Sequence, residues 1–112
     1  MRMWMVYPEI LCRNHLLGED LETHMIEGCI RKGKSLKGFV EKGLIETRSL
    51  RQRHDDLAEE ITARGWNHQT PMLYEDELRW GEVDREASYG ELVSRCPECW
   101  KRHKIIRKGG MK

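Results

Sequence analysis

Three side chains near the start of the chain could do chemistry together: His15, Glu19 and Glu22. If residues 10 to 30 form a helix, the three lie on one stripe at i, i+4 and i+7. The residues before this helix could fold back and set the Met1 α-amine beside such a carboxylate. An α-amine titrates near ~7.7 to 8, against ~10.4 for lysine, so part of it is a neutral nucleophile at cellular pH. The pattern indicates amine–carboxylate chemistry, and His15 could steady a phosphate or simply pack beside the helix.

A long first helix must position these groups. We expect it over residues 8 to 32, with Pro8 in its first turn and Gly33 as its stop. Nearly opposite the polar stripe runs an apolar one, formed by Ile10, Leu17, Leu21 and Met25. The apolar stripe should dock on the core and leave the histidine and both carboxylates on the other side.

The clearest further element is a helix over residues 49 to 64. Ser49 with Gln52 makes a capping-box pattern, and Gly65 follows the last turn. One side of this helix should be buried through Leu50, His54, Leu57 and Ile61. Together with the first helix, it should dominate the fold.

The remaining segments read less regularly. We expect a short helical stretch at 35 to 42, a loop over 66 to 87 with one turn of helix at Glu75 to Trp80, and a last helix from Ser88 to about His103. The prediction is an all-α, single small domain of about three to four helices.

Length and composition predict one cytoplasmic domain. The 112 residues should form a single unit, 1–112, with a basic C-terminal tail over about 100–112. No window approaches the ~18 to 20 apolar residues that a membrane span needs, and Met1 to Ile10 does not resemble a signal peptide. Four cysteines without an export signal are expected to be reduced thiols. We expect a monomer that does not contact membranes.

The charges are nearly balanced in number but uneven in position. Twenty basic residues face nineteen acidic ones, yet ten of the basic residues lie in two runs without an acid. These two basic patches are Arg31, Lys32, Lys34 and Lys37, and Lys101, Arg102, Lys104, Arg107, Lys108 and Lys112. Two positive patches on an otherwise acidic body are typical of a surface that follows DNA phosphates. Each patch could also be a solvated loop or tail.

Short motifs along the whole chain together resemble the pyrimidine-dimer DNA glycosylase family of endonuclease V-like enzymes. They are Arg2 after the amine, Asn14-His15-Leu16, Glu22 seven residues after that histidine, Ile30-Arg31-Lys32, Leu50-Arg51-Gln52-Arg53, Arg64-Gly65-Trp66-Asn67 and Glu86-Ala87-Ser88. The resemblance implies a bifunctional glycosylase and abasic-site lyase. In that family the N-terminal amine forms a Schiff base with the deoxyribose, and a helix glutamate assists base removal and β-elimination.

Carried onto this chain, the resemblance implies Met1 and Glu22 as catalytic residues. It also implies double-stranded, damaged DNA as the partner and no cofactor. Trp100 precedes the second basic patch and could act as a stacking platform for a base. The candidate DNA-binding residues are Arg2, Asn14, His15, Arg31, Lys32, Lys34, Trp100, Lys101 and Arg102.

This chain departs from the family in ways that concern the substrate. The family's best-known member has arginines at the positions of Leu21 and Met25, and a small residue where this chain has Met1. It also ends in an aromatic-rich tail, where this chain has Cys96-Pro97-Glu98-Cys99-Trp100 and a basic run. The resemblance therefore supports the family's chemistry more strongly than its choice of lesion. The alternative is an enzyme with the same chemistry that acts on a different lesion or modified base.

The cysteines offer a further alternative. Cys96, Cys99 and His103 form a Cys-x2-Cys-x3-His pattern, and Cys12-x2-His15 could supply further ligands. Zinc needs four ligands, and one close cysteine pair is half of a site, so we expect reduced thiols and no metal. If zinc were bound, a non-catalytic zinc-stapled nucleic-acid-binding module would be favoured.

Overall fold

Two long helices packed against each other form the frame of the molecule. The computed structural model describes residues 1–68, 70–74 and 78–110, and for residues 108–110 it describes the backbone only. The described residues form five α-helices and no strand: α1 (Arg13–Arg31), α2 (Lys37–Glu41), α3 (Leu50–Ala63), α4 (Arg85–Arg95) and α5 (Pro97–Gly110). Two 3₁₀ turns occupy Pro8–Ile10 and Thr47–Ser49. The all-α fold class is confirmed.

The first helix begins later than expected. Pro8 opens a 3₁₀ turn, and both Leu11 and Cys12 have extended backbones, so the prediction of one helix from residue 8 is wrong. The end is confirmed, because Gly33 has a φ of +70°, a left-handed conformation that stops the helix.

The prediction for the docking side of α1 is wrong. Its buried residues are Leu16, Glu19, Thr23 and Ile26. By contrast, Leu21 is 61% exposed and Met25 is 48% exposed. The error arose because Glu19 was assigned to the outer side on polarity alone. Its partner on α3, described below, allows the carboxylate to lie in the core.

The second long helix follows the prediction except at its start. All four residues of the expected stripe on α3 are buried, and Gly65 ends it with a φ of +85°. The capping box is wrong, because the Ser49 hydroxyl donates to Glu46 Oε2 at 2.5 Å and makes no capping bond to α3. The Gln52 amide bonds to Asp56 instead.

The C-terminal third forms two helices where one was expected. Asp84 caps α4 by accepting from the Ala87 N–H at 3.0 Å, so this helix begins before Ser88. It ends before Pro97, which has no N–H and disfavours helical backbone in the preceding residue, and α5 starts at that proline. Residues 100–110 therefore belong to α5 rather than to a tail. Residues 111–112 lie outside the described residues.

The expected turn of helix at residues 75 to 80 falls partly outside the described chain, because 75–77 are not described. Residues 78–80 are not helical. They run beside the segment before α3, where Thr47 and Trp80 exchange hydrogen bonds. In the described part of the chain, no helix combines the length and apolar character needed to cross a membrane.

Two adjoining hydrophobic clusters make up the core. One centres on Leu11, Leu16, Leu57 and Leu92, and the other on Ile26, Leu36, Ile45 and Leu50. The N-terminal residues contribute to both, Trp4 to the first and Met3 to the second. The start of the chain is thus an integral part of the core.

Candidate active site

The N-terminal segment is held by hydrogen bonds from three parts of the fold. The Met3 N–H donates to the Leu44 carbonyl at 2.7 Å. The Ser88 hydroxyl of α4 donates to the Trp4 carbonyl at 2.6 Å, and Arg53 of α3 donates to the Val6 carbonyl at 2.5 Å. Because these bonds fix the backbone of residues 3 to 6, they also fix where the terminus lies.

A backbone bend at Met5 completes this path. Its φ is +56°, in the left-handed region that costs a residue with a side chain roughly 1–2 kcal/mol. Such a conformation persists only where surrounding contacts require it. The bonds to Trp4 and Val6 on either side supply that requirement.

A buried ion pair joins this segment to α1 and α3. Arg53 donates from Nε to Glu19 Oε2 at 2.5 Å and from Nη2 to Oε1 at 2.9 Å. With its third bond to Val6, the guanidinium bridges three segments that are distant in sequence. Removing one partner would leave an unpaired buried charge, so the pair fixes the register of α1 against α3.

At the middle of α1 the chain terminus meets a carboxylate. The Met1 amine nitrogen lies 4.0 Å from Glu22 Oε1, and the two side chains are 11% and 33% exposed. Burial raises the pKa of Glu22, and nearby Glu19 raises it further. The positive terminus and a hydrogen bond from the Arg2 N–H act in the opposite direction. The terminal amine nitrogen and a carboxyl whose pKa burial raises therefore lie side by side.

Arg2 extends this site toward α4. Its guanidinium stacks on the Trp4 ring, 3.7 Å from the ring centroid, and forms an ion pair with Glu91. Trp4 in turn meets the edge of the His15 ring at a centroid distance of 5.6 Å. Arg2, Trp4 and His15 therefore form one contiguous layer.

His15 lies among cysteines rather than at an open surface. Its Nδ1 is 3.2 Å from Cys12 Sγ and 3.6 Å from Cys99 Sγ. Together with Cys96, one ligand atom from each residue lies within 4.8 Å of the others. Burial lowers the pKa of His15, Arg95 lowers it further and Glu19 opposes both, so the imidazole is neutral near pH 7.

The fourth member of this group differs from the expected zinc pattern. His103 is not part of the cysteine group, because its Nδ1 bonds to the Tyr89 hydroxyl and its ring stacks on Trp100. The sequence signal for this grouping is Cys12-x2-His15, whose local spacing pairs these two residues but does not connect them to Cys96 and Cys99.

The other predicted DNA-binding residues are spread along two regions of the surface. Asn14, Arg31, Lys32 and Lys34 are exposed on or just after α1, with Arg31 paired to Glu27 at 3.2 Å. On α5, Trp100 is 43% exposed and Lys101 pairs with Glu98. Arg102 instead donates to the Glu9 carbonyl at 2.8 Å, which secures α5 to the first 3₁₀ turn.

Sequence reasoning missed a second cluster of titratable side chains. Asp20 and His24 of α1 meet His54 of α3 and His68 of the following segment, with one ligand atom of each within 4.8 Å of the others. The helical i, i+4 spacing of Asp20 and His24 was an available signal. The other two members could not be assigned to them without the packing of α1 on α3.

A surface groove of about 990 Å³ lies apart from the amine. Residues 5–8 form one wall and parts of α3 and α4 form the others, so neither Met1 nor Glu22 lines it. The amine–carboxylate pair lies outside this groove, on the partly exposed side of α1.

A family model described as pyrimidine dimer DNA glycosylase matches residues 1–74, which is 74 of the 112 residues and includes α1, α2 and α3. No curated protein and no solved structure matches the chain.

Proposed function

Because the chain belongs to the pyrimidine dimer DNA glycosylase family, we propose that it excises a damaged base from duplex DNA and then cleaves the strand as an abasic-site lyase. The Met1 amine is the nucleophile and Glu22 is its partner. The observation that carries this proposal is the 4.0 Å separation between the amine nitrogen and Glu22 Oε1. Membership of this family indicates a DNA glycosylase, an enzyme that binds DNA.

The first step is the loss of the base. The lone pair of the neutral amine forms a bond to C1′ of the sugar, and the glycosidic bond breaks with its electrons going to the base, which takes up a proton. Glu22 stabilises the positive charge that develops on the sugar. Loss of the amine proton and opening of the sugar ring then leave a Schiff base between Met1 and C1′.

The second step is strand cleavage. The ionised Glu22 carboxylate takes a proton from C2′, whose acidity the cationic Schiff base increases. The electrons form a C2′–C3′ double bond and the C3′–O bond breaks, so the 3′ phosphate leaves. Water then hydrolyses the Schiff base and frees the amine.

The duplex would be bound along α1 and α5. Arg31, Lys32 and Lys34 lie at one end of α1, and the basic residues of α5 lie toward its other end. Phosphate contacts on both sides of Glu22 would allow a monomer to bend the duplex and move one nucleotide out of the stack.

A different lesion is the second candidate substrate, and one observation favours it. Leu21 and Met25 are exposed beside Glu22, at the two positions where arginines stand in the best-known enzyme that the chain resembles. Apolar side chains there cannot hold phosphates or polar base edges. The same amine chemistry could then act on another damaged or modified base.

Borohydride trapping tests both the chemistry and the substrate. The untagged protein is incubated with duplexes that carry a pyrimidine dimer, an abasic site or no damage, and borohydride reduces any Schiff base to a stable adduct. We expect adducts on the dimer and abasic duplexes and none on undamaged DNA. No adduct on any damaged duplex would contradict the amine mechanism, and an adduct with the abasic duplex alone would favour the different lesion.

A further inference from the structure

We propose that Cys12, His15, Cys96 and Cys99 bind one zinc ion that joins the start of α1 to the start of α5. Their four ligand atoms already lie within 4.8 Å of one another. The site combines a Cys-x2-His motif with a Cys-x2-Cys motif, and this spacing at the start of a helix lets two side chains reach one ion. The expectation that bound zinc favours a non-catalytic module does not follow here, because Met1 and Glu22 lie outside the ligand set. The proposal therefore neither requires nor weakens the proposed function.

Three of the six separations between ligand atoms are close to those of tetrahedral zinc, and the others are within 4.8 Å. Bonds of about 2.3 Å to sulfur and 2.0–2.1 Å to nitrogen place two sulfurs roughly 3.8 Å apart, and sulfur and nitrogen roughly 3.5 Å apart. Here Cys12 Sγ is 3.9 Å from Cys96 Sγ and 3.6 Å separates Cys99 Sγ from His15 Nδ1. The Cys12–His15 separation of 3.2 Å is slightly shorter. Small side-chain movements would therefore admit the ion.

The backbone around the site supports thiolates. The Cys12 N–H points at Cys99 Sγ from 3.2 Å, and the Cys99 N–H points at Cys96 Sγ from 3.5 Å. Backbone N–H groups that donate to sulfur favour the thiolate and fix its orientation at a metal site. Three soft sulfurs and one imidazole are a ligand set that selects zinc among the common cellular cations.

Such an ion would connect segments that are far apart in sequence. Cys12 precedes α1 and Cys99 lies in the first turn of α5, next to the bond between Arg102 and the Glu9 carbonyl. His15 also touches Trp4, on which Arg2 stacks. The ion would hold α5 in place and support the layer of side chains beside the Met1 amine.

Metal analysis and cobalt substitution test the zinc site. Untagged protein is purified under reducing conditions, its metal content is measured, and Co²⁺ is exchanged for the bound ion. We expect the wild type and Cys29→Ser, a cysteine outside the group, to show zinc and cobalt–thiolate charge-transfer bands. Cys96→Ser should lose one ion per chain or weaken those bands. Wild-type protein without thiolate-bound metal, or with a Cys12–Cys96 disulfide instead, would overturn the proposal.

The geometry points independently to a second metal ion, bound by Asp20, His24, His54 and His68. The side chain of His24 carries a buried Nε2 without a hydrogen-bond partner among the described residues. The Nε2 atoms of His68 and His54 lie 2.9 Å and 3.7 Å from Asp20 Oδ1. A cation at the centre of this group would satisfy the unpartnered nitrogen and the carboxylate together.

The surroundings of His54 suit a ligand. Its Nδ1 is 3.0 Å from Asp55 Oδ1, so an Nδ1–H that donates to that carboxylate leaves the Nε2 lone pair for a metal. Nε2 is also 3.2 Å from the Thr70 carbonyl, a contact that a bound ion would replace. Three imidazoles and one carboxylate suit zinc and the neighbouring divalent transition ions.

Stoichiometry separates the two sites. We expect the untagged wild type and His103→Ala, a histidine in neither group, to bind two ions per chain. Both His24→Gln and His68→Gln should bind one ion and keep the cobalt–thiolate bands, because the cysteine site is intact. A single ion in the wild type, or two ions in both variants, would overturn the second site and leave the first unaffected.

Discussion

Two glutamates three residues apart on α1 differ in role because of what surrounds them. Glu19 is buried and accepts two hydrogen bonds from Arg53, so no substrate can reach its carboxylate from the surface. Glu22 faces the Met1 amine and remains partly exposed. The same residue type is thus structural in one position and available for proton transfer in the other.

The first prediction concerns the carboxylate of Glu22. Glu22→Gln should abolish strand cleavage while DNA affinity stays within a few-fold, because an amide of the same shape cannot accept a proton and affinity depends mainly on phosphate contacts. Cleavage of an abasic duplex and its binding are measured side by side. Glu59→Gln, an exposed glutamate of α3, is the matched control and should cleave normally. Cleavage by Glu22→Gln at the control rate would remove Glu22 from the mechanism.

The second prediction is the pH dependence of cleavage. Burial raises the pKa of Glu22 above its usual 4.5, so the protonated, inactive carboxyl persists to higher pH. The rate of strand cleavage from a preformed Schiff base, which no longer depends on the free amine, should therefore increase with pH through a midpoint above 4.5 while the protein remains folded. A midpoint at or below 4.5 would show that the ionisation of another group limits the rate.

The third prediction concerns the Met1 nitrogen. Acetylating the amine or adding an N-terminal tag should eliminate the lyase activity without unfolding the helices, because acetylation removes the basic lone pair. Arg2 is too large for the usual methionine-trimming enzyme, so Met1 should persist. Mass analysis of the digested borohydride adduct should locate the sugar on the N-terminal peptide. An adduct on an internal lysine would contradict this assignment.

At the scale of elements, hydrophobic periodicity predicts the features that depend only on residues close together in sequence, such as the buried side of α3. Leu50, Leu57 and Ile61 formed a regular apolar stripe, and α3 buries all three. The same reasoning failed on α1 because Glu19 enters the core only when Arg53 of another helix accompanies it. Hydrophobic periodicity places polar residues on the solvent side of a helix and does not predict a buried ion pair between two helices.

The candidate site was predictable only in part for the same reason. The spacing of His15 and Glu22 follows from one helix. The expectation that the N-terminus folds back onto this helix depends on the same spacing. The hydrogen bonds that hold Met3 and Trp4 involve Leu44 and Ser88, which no local pattern connects to the terminus. Both candidate metal sites likewise need side chains from separate elements.

The fourth prediction concerns the junction between α3 and α4. Burial opposes ionisation of Glu46, but hydrogen bonds from Arg85, Ser49 and the Val83 N–H outweigh it and lower its pKa to about 2. Because the folded-state pKa lies below the unfolded value of 4.5, this carboxylate stabilises the fold above pH 4.5. The stabilisation, on the order of 3 kcal/mol, is lost as the pH falls toward about 2.

Glu46→Gln should therefore lower the free energy of unfolding at pH 7 by roughly that amount, and the difference from wild type should shrink below pH 4.5. Denaturant unfolding at several pH values measures this. Glu82→Gln, whose side chain is exposed, should change the stability little. A Glu46→Gln effect that does not vary with pH would contradict the assigned linkage.

At the scale of the whole molecule, α1 acts as an axis with the candidate site at its centre. Glu22 lies nine residues from each end of Arg13–Arg31, which is about 13 Å along the helix. One basic patch follows the C-terminal end, and α5 packs near the N-terminal end. The longest dimension of 44 Å would cover roughly 13 base pairs at about 3.4 Å each. The site is thus placed where a duplex held at both ends would be bent.

The last prediction tests whether the first basic patch contacts phosphates. Replacing Arg31, Lys32 and Lys34 with alanine should weaken binding to any duplex and reduce the slope of log affinity against log salt by roughly 2 to 3, since each lost phosphate contact accounts for about 0.9. Alanine at Lys42, Arg51 and Arg95 removes as many positive charges from outside both patches and serves as the control. Because the Arg31–Glu27 pair must break before that arginine can bind a phosphate, the reduction should fall nearer 2 than 3. Equal changes in both triple variants would mean that the protein responds to total charge, and an unchanged slope would mean that this end of α1 does not contact the duplex.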